Sequence, residues 1–398
     1  MSELKDLTVE DARGRMLVEA VRMGAETVAL EAAIGRVLAQ AVTAQRDQPP
    51  FDASAMDGWA VSGAGGRYRI MGESAAGHGH RGQLQPGQAV RIFTGAPVPE
   101  GADRIVIQED ARRDGDAVQA TAVPDAGTFV RPRGGDFRAG EALLAAGLRI
   151  DPWRLSLAAA AGRAELTVSR RPEVVLLSTG EEIVPAGAVA GLDQIFDSGA
   201  PALAALADLW GAAARRLATT GDDADAIAAA VAGAGGDLIV TVGGASVGDH
   251  DLVKPALARL GLELKVETVR LRPGKPTWFG VLADGRRVLG LPGNPASALV
   301  CAELFLKPLL MAMQGADPAL PLASARLAAA LPPNGPREHW ARAELTSKDG
   351  ALWARPMTDQ DSSLVSVFAR AGALLRCPSR MPATGVGDVV DILMLERL

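Results

Sequence analysis

Two aspartates, Asp52 and Asp57, stand in the segment PPFDASAMDGWAV, Pro49 to Val61, which contains no Lys or Arg. Carboxylates in a small-residue, proline-stiffened stretch have two uses. They cap turns, or they offer oxygen and charge to something outside the segment. More carboxylates lie in loops that follow apolar runs: Glu181, Glu182, Asp197, Asp222, Asp223, Asp249 and Asp251. Mg²⁺ takes one or two carboxylates and completes its shell with phosphate oxygens and water, so a dispersed oxygen set suits it. Each of these residues also has a plainer use at a helix start.

Cations sit elsewhere. RLRPGKPTWFG places Arg270, Arg272 and Lys275 within six positions, with Pro273 and Pro276 restricting the backbone. GLPGNPASA supplies Pro292, an N-cap at Asn294, Pro295 in the first turn, and Ser297. An oxyanion or phosphate shared between these two segments is the chemistry they suggest; a solvated basic turn is the alternative. Glycine-bearing loops recur in STGEEIVPAG, DSGAPAL, TTGDDADA and VGGASVGDHD, the last holding Gly243, Gly244, Ser246 and Gly248. One such loop is a weak signal. Several on successive strands suit backbone amides approaching an anion. His78 and His80 in GHGH read as an exposed Gly-rich loop. HExxH and GxxxxGK[ST] are missing; GxSxG occurs only as GASVG, 244–248, and GxGxxG only as GHGHRG, 77–82, with no helix-start pattern after it, so metalloprotease, hydrolase, P-loop and dinucleotide readings stay weak.

The elements that must position these groups follow from length and pattern. With 398 residues the chain exceeds one ordinary core, and two to four domains are expected. Lys plus Arg is 41 against 47 for Asp plus Glu, a net charge of −6 that argues against broad nucleic-acid binding. Cys301 and Cys377 form no CxxC pair and read as buried free thiols of a reducing compartment. The charged start MSELKDLTVED has no signal core, and no apolar run is read as a membrane span, so a soluble cytoplasmic protein is expected. TVEDARGRMLVEAV predicts an amphipathic helix capped by Thr8 and Asp11. Short β-like runs between turns predict a β-rich module inserted at 48–137 into a discontinuous elongated domain, 1–47 plus 138–171. From 172 to 318, apolar strands such as EVVLLS and DLIVTVGG alternate with helices, which predicts a doubly wound α/β domain. Residues 319–398 alternate apolar and polar and predict a small β domain.

Seven motifs, FDASAMDGWAV, FTGAPVPEGAD, VRPRGGD, LSTGEEI, GGASVGDHD, RPGKP and GLPGNPAS, occur in the order seen in the MoeA family, which the chain therefore resembles over nearly its whole length. That family is related to the E domains of the plant molybdenum-insertion protein and of gephyrin. The resemblance implies an elongated four-domain homodimer with a molybdopterin-binding-type α/β domain. It implies conversion of adenylylated molybdopterin and molybdate to molybdenum cofactor and AMP with Mg²⁺. The site would lie between the α/β domain of one subunit and the inserted module of the other. Carried over residue by residue, Asp57, Thr94 and Asp136 face that cleft from the module. Glu182, Asp222 or Asp223, and Asp251 line it from the α/β side, with Asp57, Glu182 and Asp251 as the metal carboxylates. The glycine loops would hold pterin and phosphates. Arg272, Lys275 and the helix start at Asn294 would hold molybdate. Hand-over partners follow too: the molybdopterin adenylyltransferase upstream and proteins that mature molybdoenzymes downstream. Three positions depart from the family pattern: Arg272 stands where lysine is usual, Gly135 replaces a glutamate, and Gly199 lacks a side-chain amide. The competing functions are the adenylyltransferase itself, whose fold resembles only residues 172–313, and a non-enzymatic gephyrin-like scaffold.

Overall fold

The computed structural model describes residues 4–243 and 252–396. Gly244, Ser246, Gly248, Asp249 and Asp251 of the expected site lie outside the described residues. The opening helix, Val9–Val18, begins as its capping pattern requires: Thr8 Oγ1 accepts from the Asp11 N–H at 3.0 Å. Its buried side, Val9, Ala12 and Met16, packs into the core of the α/β unit rather than into the elongated piece to which the sequence assigned it. The elongated piece is built from distant halves of the chain. Strand Ala25–Ala29 pairs antiparallel with Glu165–Ser169, and Val42–Thr43 pairs with Ala142–Leu144. Leu38, Val42, Leu144, Ile150 and Leu166 form its core, which closes only after the intervening chain has left and returned.

The intervening chain forms a six-stranded sheet, in the order Arg104–Ile107, Gly58–Val61, Gln88–Ile92, Arg67–Ser74, Ala117–Ala120, Ala111–Asp114. Gly58–Val61 lies inside this sheet and every residue of it is buried.

The α/β unit has four parallel strands in the order Ala213–Arg216, Glu173–Ser178, Leu238–Val242, Arg287–Leu291, then Trp278–Val281 antiparallel to the last of them and Glu263–Val266 antiparallel in turn to Trp278–Val281. Side chains alternate between its faces as a strand period of two demands. Val174, Leu176 and Val240 enter one core; Leu177, Ile239 and Val288 enter the other. Both faces are covered, as the run EVVLLS predicts. Helix Pro295–Gln314, 20 residues, is long and apolar enough to cross a bilayer, contrary to the sequence reading, yet 83% of its apolar window is buried in this protein, where it serves as a core helix. A π-turn at Ala302–Leu306 ends two residues before Pro308, whose ring cannot accommodate a regular helical carbonyl one turn back.

That π-turn buries Glu303, with Lys307 Nζ 3.7 Å away. Burial raises its pKa from 4.5 to about 7, the partial offset coming from Lys307. The raised value means Glu303 favours folding below pH 4.5 and loses that contribution as pH rises through about 7. Glu303→Gln is therefore expected to leave urea stability unchanged near pH 4.5 and to raise it by up to about 3 kcal/mol at pH 8. Equal gains at both pH values would exclude this origin.

The last unit is a small barrel. Glu338–Lys348, Ala351–Pro356, Leu322–Leu327, Val389–Met394 and Ala373–Cys377 pair in sequence, and the last pairs back onto the first. Its interior is filled by Ala325, Ala341, Ala343 and Ala354 with a few larger residues, as a narrow barrel requires. Strand Leu271–Arg272 of the α/β unit adds to this barrel, parallel to Glu338–His339.

Candidate active site

Asp57 precedes the buried strand Gly58–Val61. Its Oδ1 accepts two hydrogen bonds from Thr94, from N–H at 2.7 Å and from Oγ1 at 2.7 Å. Those bonds, backbone first, hold its carboxyl below the usual carboxylate range. It is an ionised group with one oxygen engaged and one facing outward. Gly58 sets this placement. A Cβ there would lie 2.1 Å from the carbonyl oxygen of Val106, which is itself fixed in the sheet. Gly58→Ala is expected to cost roughly 2–3 kcal/mol by forced backbone movement. A urea midpoint equal to that of the wild type would contradict the placement.

Asp52 has the plainer role. Its Oδ1 accepts from the Arg133 N–H at 2.7 Å, tying the VRPRGGD turn to the Pro49–Val61 segment. Asp47 completes the tie, accepting from Arg133 Nε at 2.6 Å and from Ala139 N–H at 2.8 Å. Asp136 sits at the end of this turn and is exposed, its N–H bound to Gln48 O. Gly135 is tight: a Cβ would come 3.0 Å from Pro132 O.

Across the α/β unit, Ser178 and Val242 end neighbouring strands side by side. Gly243 has φ +96, and a Cβ on it would lie 2.6 Å from Thr179 O. A Cβ on Gly293 would lie 3.4 Å from Gly243 Cα, so loops after adjacent strands pack backbone to backbone. These glycines thus have a packing cause, and their small size leaves the strand ends open, where ligands of such sheets lie. Ser178 Oγ donates to Asp197 Oδ2 at 3.0 Å, and Asp197 Oδ1 accepts from the Ala200 N–H at 3.0 Å. Glu182 is exposed and its carboxylate folds back over Gly180. Asp223 caps helix Ala224–Ala234, Oδ1 accepting from Asp225 and Ala226 N–H. Its carboxylate is committed locally, as Asp at a helix start commonly is.

The donors here are oxygens: the carboxylates of Glu181, Glu182, Asp197 and Asp222, and the buried hydroxyls of Thr179 and Thr220, which have no hydrogen-bond partner among the described residues. That is hard-cation chemistry. Among the described residues no three His, Cys, Asp or Glu side chains converge. The set therefore fits an Mg²⁺ that keeps phosphate and water ligands, and not a metal caged by protein alone. Likewise, no hydrogen bond or ion pair among the described residues joins Asp57, Thr94 or Asp136 to these loops of the same chain.

The cations meet elsewhere. A cavity of about 980 Å³ opens between the α/β unit and the barrel. Arg272, Lys275, Arg337 and Arg355 line it, none ion-paired among the described residues, and Asp359 and Asp361 face them. Arg337, Arg355 and His339 belong to the barrel and escaped the sequence reading, which had no motif to place them. The basic turn is rigid: a Cβ on Gly274 would meet Cys301 Sγ at 2.3 Å, and Thr277 Oγ1 donates to Gly274 O at 2.8 Å. Burial pushes the Cys301 thiol up to about 12, so it stays protonated. Asn294 and Ser297 also line the cavity. Asn294 begins helix Pro295–Cys301, but its side chain does not cap it. Its Nδ2 donates to Ser362 Oγ at 2.8 Å, while Ser362 O accepts from the Ala296 N–H. A barrel loop has taken the capping role, which corrects the expectation of a free helix start for an anion.

Comparison with known proteins settles the family. The model described as MoeA N-terminal region (domain I and II) matches residues 7–162. That for the probable molybdopterin binding domain matches 175–312, and that for the MoeA C-terminal region (domain IV) matches 324–395. The chain belongs to the MoeA family. As a MoeA protein it is a transferase of molybdenum cofactor biosynthesis. A relative from Mycobacterium tuberculosis, molybdopterin molybdenumtransferase 2, is 41% identical over 346 residues, covering 82% of this chain and 84% of the relative. The molybdopterin molybdenumtransferase of Synechococcus elongatus is 37% identical over 378 residues, 90% and 92% of the two chains. The crystal structure of a molybdopterin biosynthesis MoeA protein from Pyrococcus horikosii matches with TM-score 0.82 and 29% identity, over 99% of this chain and 100% of that one. MoeA architecture, an α/β unit between β-rich N- and C-terminal parts, is thus shared along the full length.

Proposed function

We propose that this MoeA transferase takes adenylylated molybdopterin and molybdate, places molybdenum on the dithiolene of the pterin, and releases AMP. The observation that carries the reading is the 980 Å³ cavity, lined by four cations that have no ion pair among the described residues. Molybdate is a tetrahedral dianion. Arg272, Lys275, Arg337 and Arg355 supply charge-assisted donors for it, and a guanidinium fork at Arg272 suits two oxygens at once. The open strand ends beyond Ser178 and Val242 receive the pterin and its phosphates, with Asn294 and Pro292 at the junction. Glu182, Asp197 and Asp222 would hold Mg²⁺, whose contribution when bound is to polarise the phosphoanhydride. Water adds to that anhydride; AMP leaves, and the pterin keeps its own phosphate, while the two Mo–S bonds form as one oxo of molybdate leaves with the two thiol protons as water.

Asp57 completes the site from a second copy of the chain. Among the described residues neither Asp57 nor Asp136 is joined to the α/β loops of its own chain, so in this reading the module at 48–137 faces the α/β domain at 172–318 of the other subunit. A homodimer in the cytoplasm, handing cofactor to molybdoenzyme-maturation proteins and receiving substrate from the adenylyltransferase, is part of the same proposal. The free, buried Cys301 and Cys377 agree with a reducing compartment. Calorimetric titration of molybdate into the protein tests the reading. Saturable binding that Lys275→Ala and Arg337→Ala weaken supports it; binding indifferent to both removes the cavity from the molybdate site.

A further inference from the structure

His339 is the one imidazole among the residues that line the cavity. It stands in register with Arg272 on one side and with Cys377 on the other. Its Nε2 is buried and has no hydrogen-bond partner among the described residues. A neutral imidazole has one N–H and one lone pair. Arg272, Arg337 and Arg342 are the charges that act on it, and they favour the neutral ring, whose lone pair is free to take a proton.

We propose that His339 is a proton-linked contact for the oxyanion, donating a hydrogen bond from its ring to the bound dianion and taking up one proton as the dianion arrives. The inference rests on the reading of the cavity as the oxyanion site. The electrostatics give its direction. Without the anion, burial and then the three arginines push the imidazole down to about 4, so it is neutral near pH 7. A dianion placed among those arginines reverses the local sign and favours imidazolium. The proton comes from solvent and resides on the ring, so charge and atoms balance.

Other groups facing the ring do not supply the same response. Burial pushes the Cys377 thiol up to about 11, and it stays protonated. Hydrogen bonds from Ser363 hold Asp361 below the usual carboxylate range, and it stays ionised. Glu338 is held by Arg376 at 3.0 Å and by Trp340 Nε1 at 2.9 Å. Lys275, Arg355 and Asp359 complete the set around the cavity.

The test is molybdate titration calorimetry in two buffers of different ionisation enthalpy, repeated from about pH 8.5 to about pH 6.5, on wild type, His339→Gln and His339→Leu. The wild type is expected to take up as much as one proton per anion and to gain about tenfold in affinity per pH unit where uptake is complete. His339→Gln keeps a donor and is expected to bind molybdate with no proton uptake and a flat pH dependence. His339→Leu fills the same space without a donor and is expected to bind weakly at every pH. Equal proton counts in wild type and His339→Gln overturn the inference while leaving the oxyanion site standing. Absence of molybdate binding by the wild type overturns the reading beneath it, and this inference with it.

Discussion

Asp57→Asn is expected to lower turnover about 100-fold or more while leaving fold and subunit association unchanged. The reason is local. An amide oxygen at Oδ1 still accepts both hydrogen bonds from Thr94, so the loop keeps its geometry. What disappears is the charge and the outward oxygen. Thr94→Val removes only the hydroxyl donor, so the Asp57 carboxyl should rise toward its ordinary range. Asp57 must be ionised to act, and its pKa is depressed. Activity is therefore lost as pH falls through that pKa, and the acidic limb of the pH–rate profile should move to higher pH in Thr94→Val. The same residue tests the shared site. Assayed at limiting molybdate, chains carrying Asp57→Asn and chains carrying Lys275→Ala should each keep at most about a tenth of wild-type activity. Mixed with subunit exchange, they should regain about a quarter of wild-type activity, since half of the dimers are hybrid and each hybrid has one intact site. No recovery after demonstrated exchange would place both residues in one subunit's site.

Lys275→Ala and Arg337→Ala should each weaken molybdate use about 10- to 100-fold. A charge-assisted hydrogen bond in such a cleft contributes roughly 1.5–3 kcal/mol, and about 1.4 kcal/mol is tenfold. The double variant should lose more than either single change, but less than the product if the two cations share one oxygen. Arg272→Lys should be mild, because the charge remains. High molybdate should restore the rate if only binding is impaired. The competing assignment gives these cations to the pterin phosphate. Titrating the two ligands separately against Lys275→Ala decides the matter: lost affinity for the pterin at unchanged molybdate dependence would move Lys275 to the phosphate.

Much of this protein is legible in its sequence, and what is not has a physical cause. EVVLLS and DLIVTVGG announce a sheet covered on both faces, and such a sheet dictates where its ligands lie. RLRPGKP announces a cationic turn. The companion cations Arg337 and Arg355 are silent, because only the pairing of Leu271–Arg272 with Glu338–His339 brings the barrel to that turn. Asn294 reads as an N-cap because the local pattern favours it. Its actual partner, Ser362, is 68 residues away, a distance no local rule spans. Asp52 and Asp223 show the reverse. Both fall in segments that look functional, and both spend a carboxylate oxygen on backbone amides, at Arg133 for one and at Asp225 and Ala226 for the other. The departure at Gly135 also has a structural correlate, since its Cβ position crowds Pro132 O.

The most direct test of the account is one reaction: pure protein with adenylylated molybdopterin, Mg²⁺, and molybdate added or withheld, followed for AMP and for cofactor able to activate a molybdenum-free apoenzyme. The account predicts that AMP and active cofactor form together, in equal amounts, only when molybdate is present, and that Asp57→Asn, and Lys275→Ala at limiting molybdate, slow both together. Consumption of the adenylate without active cofactor, or no AMP at all, would contradict it.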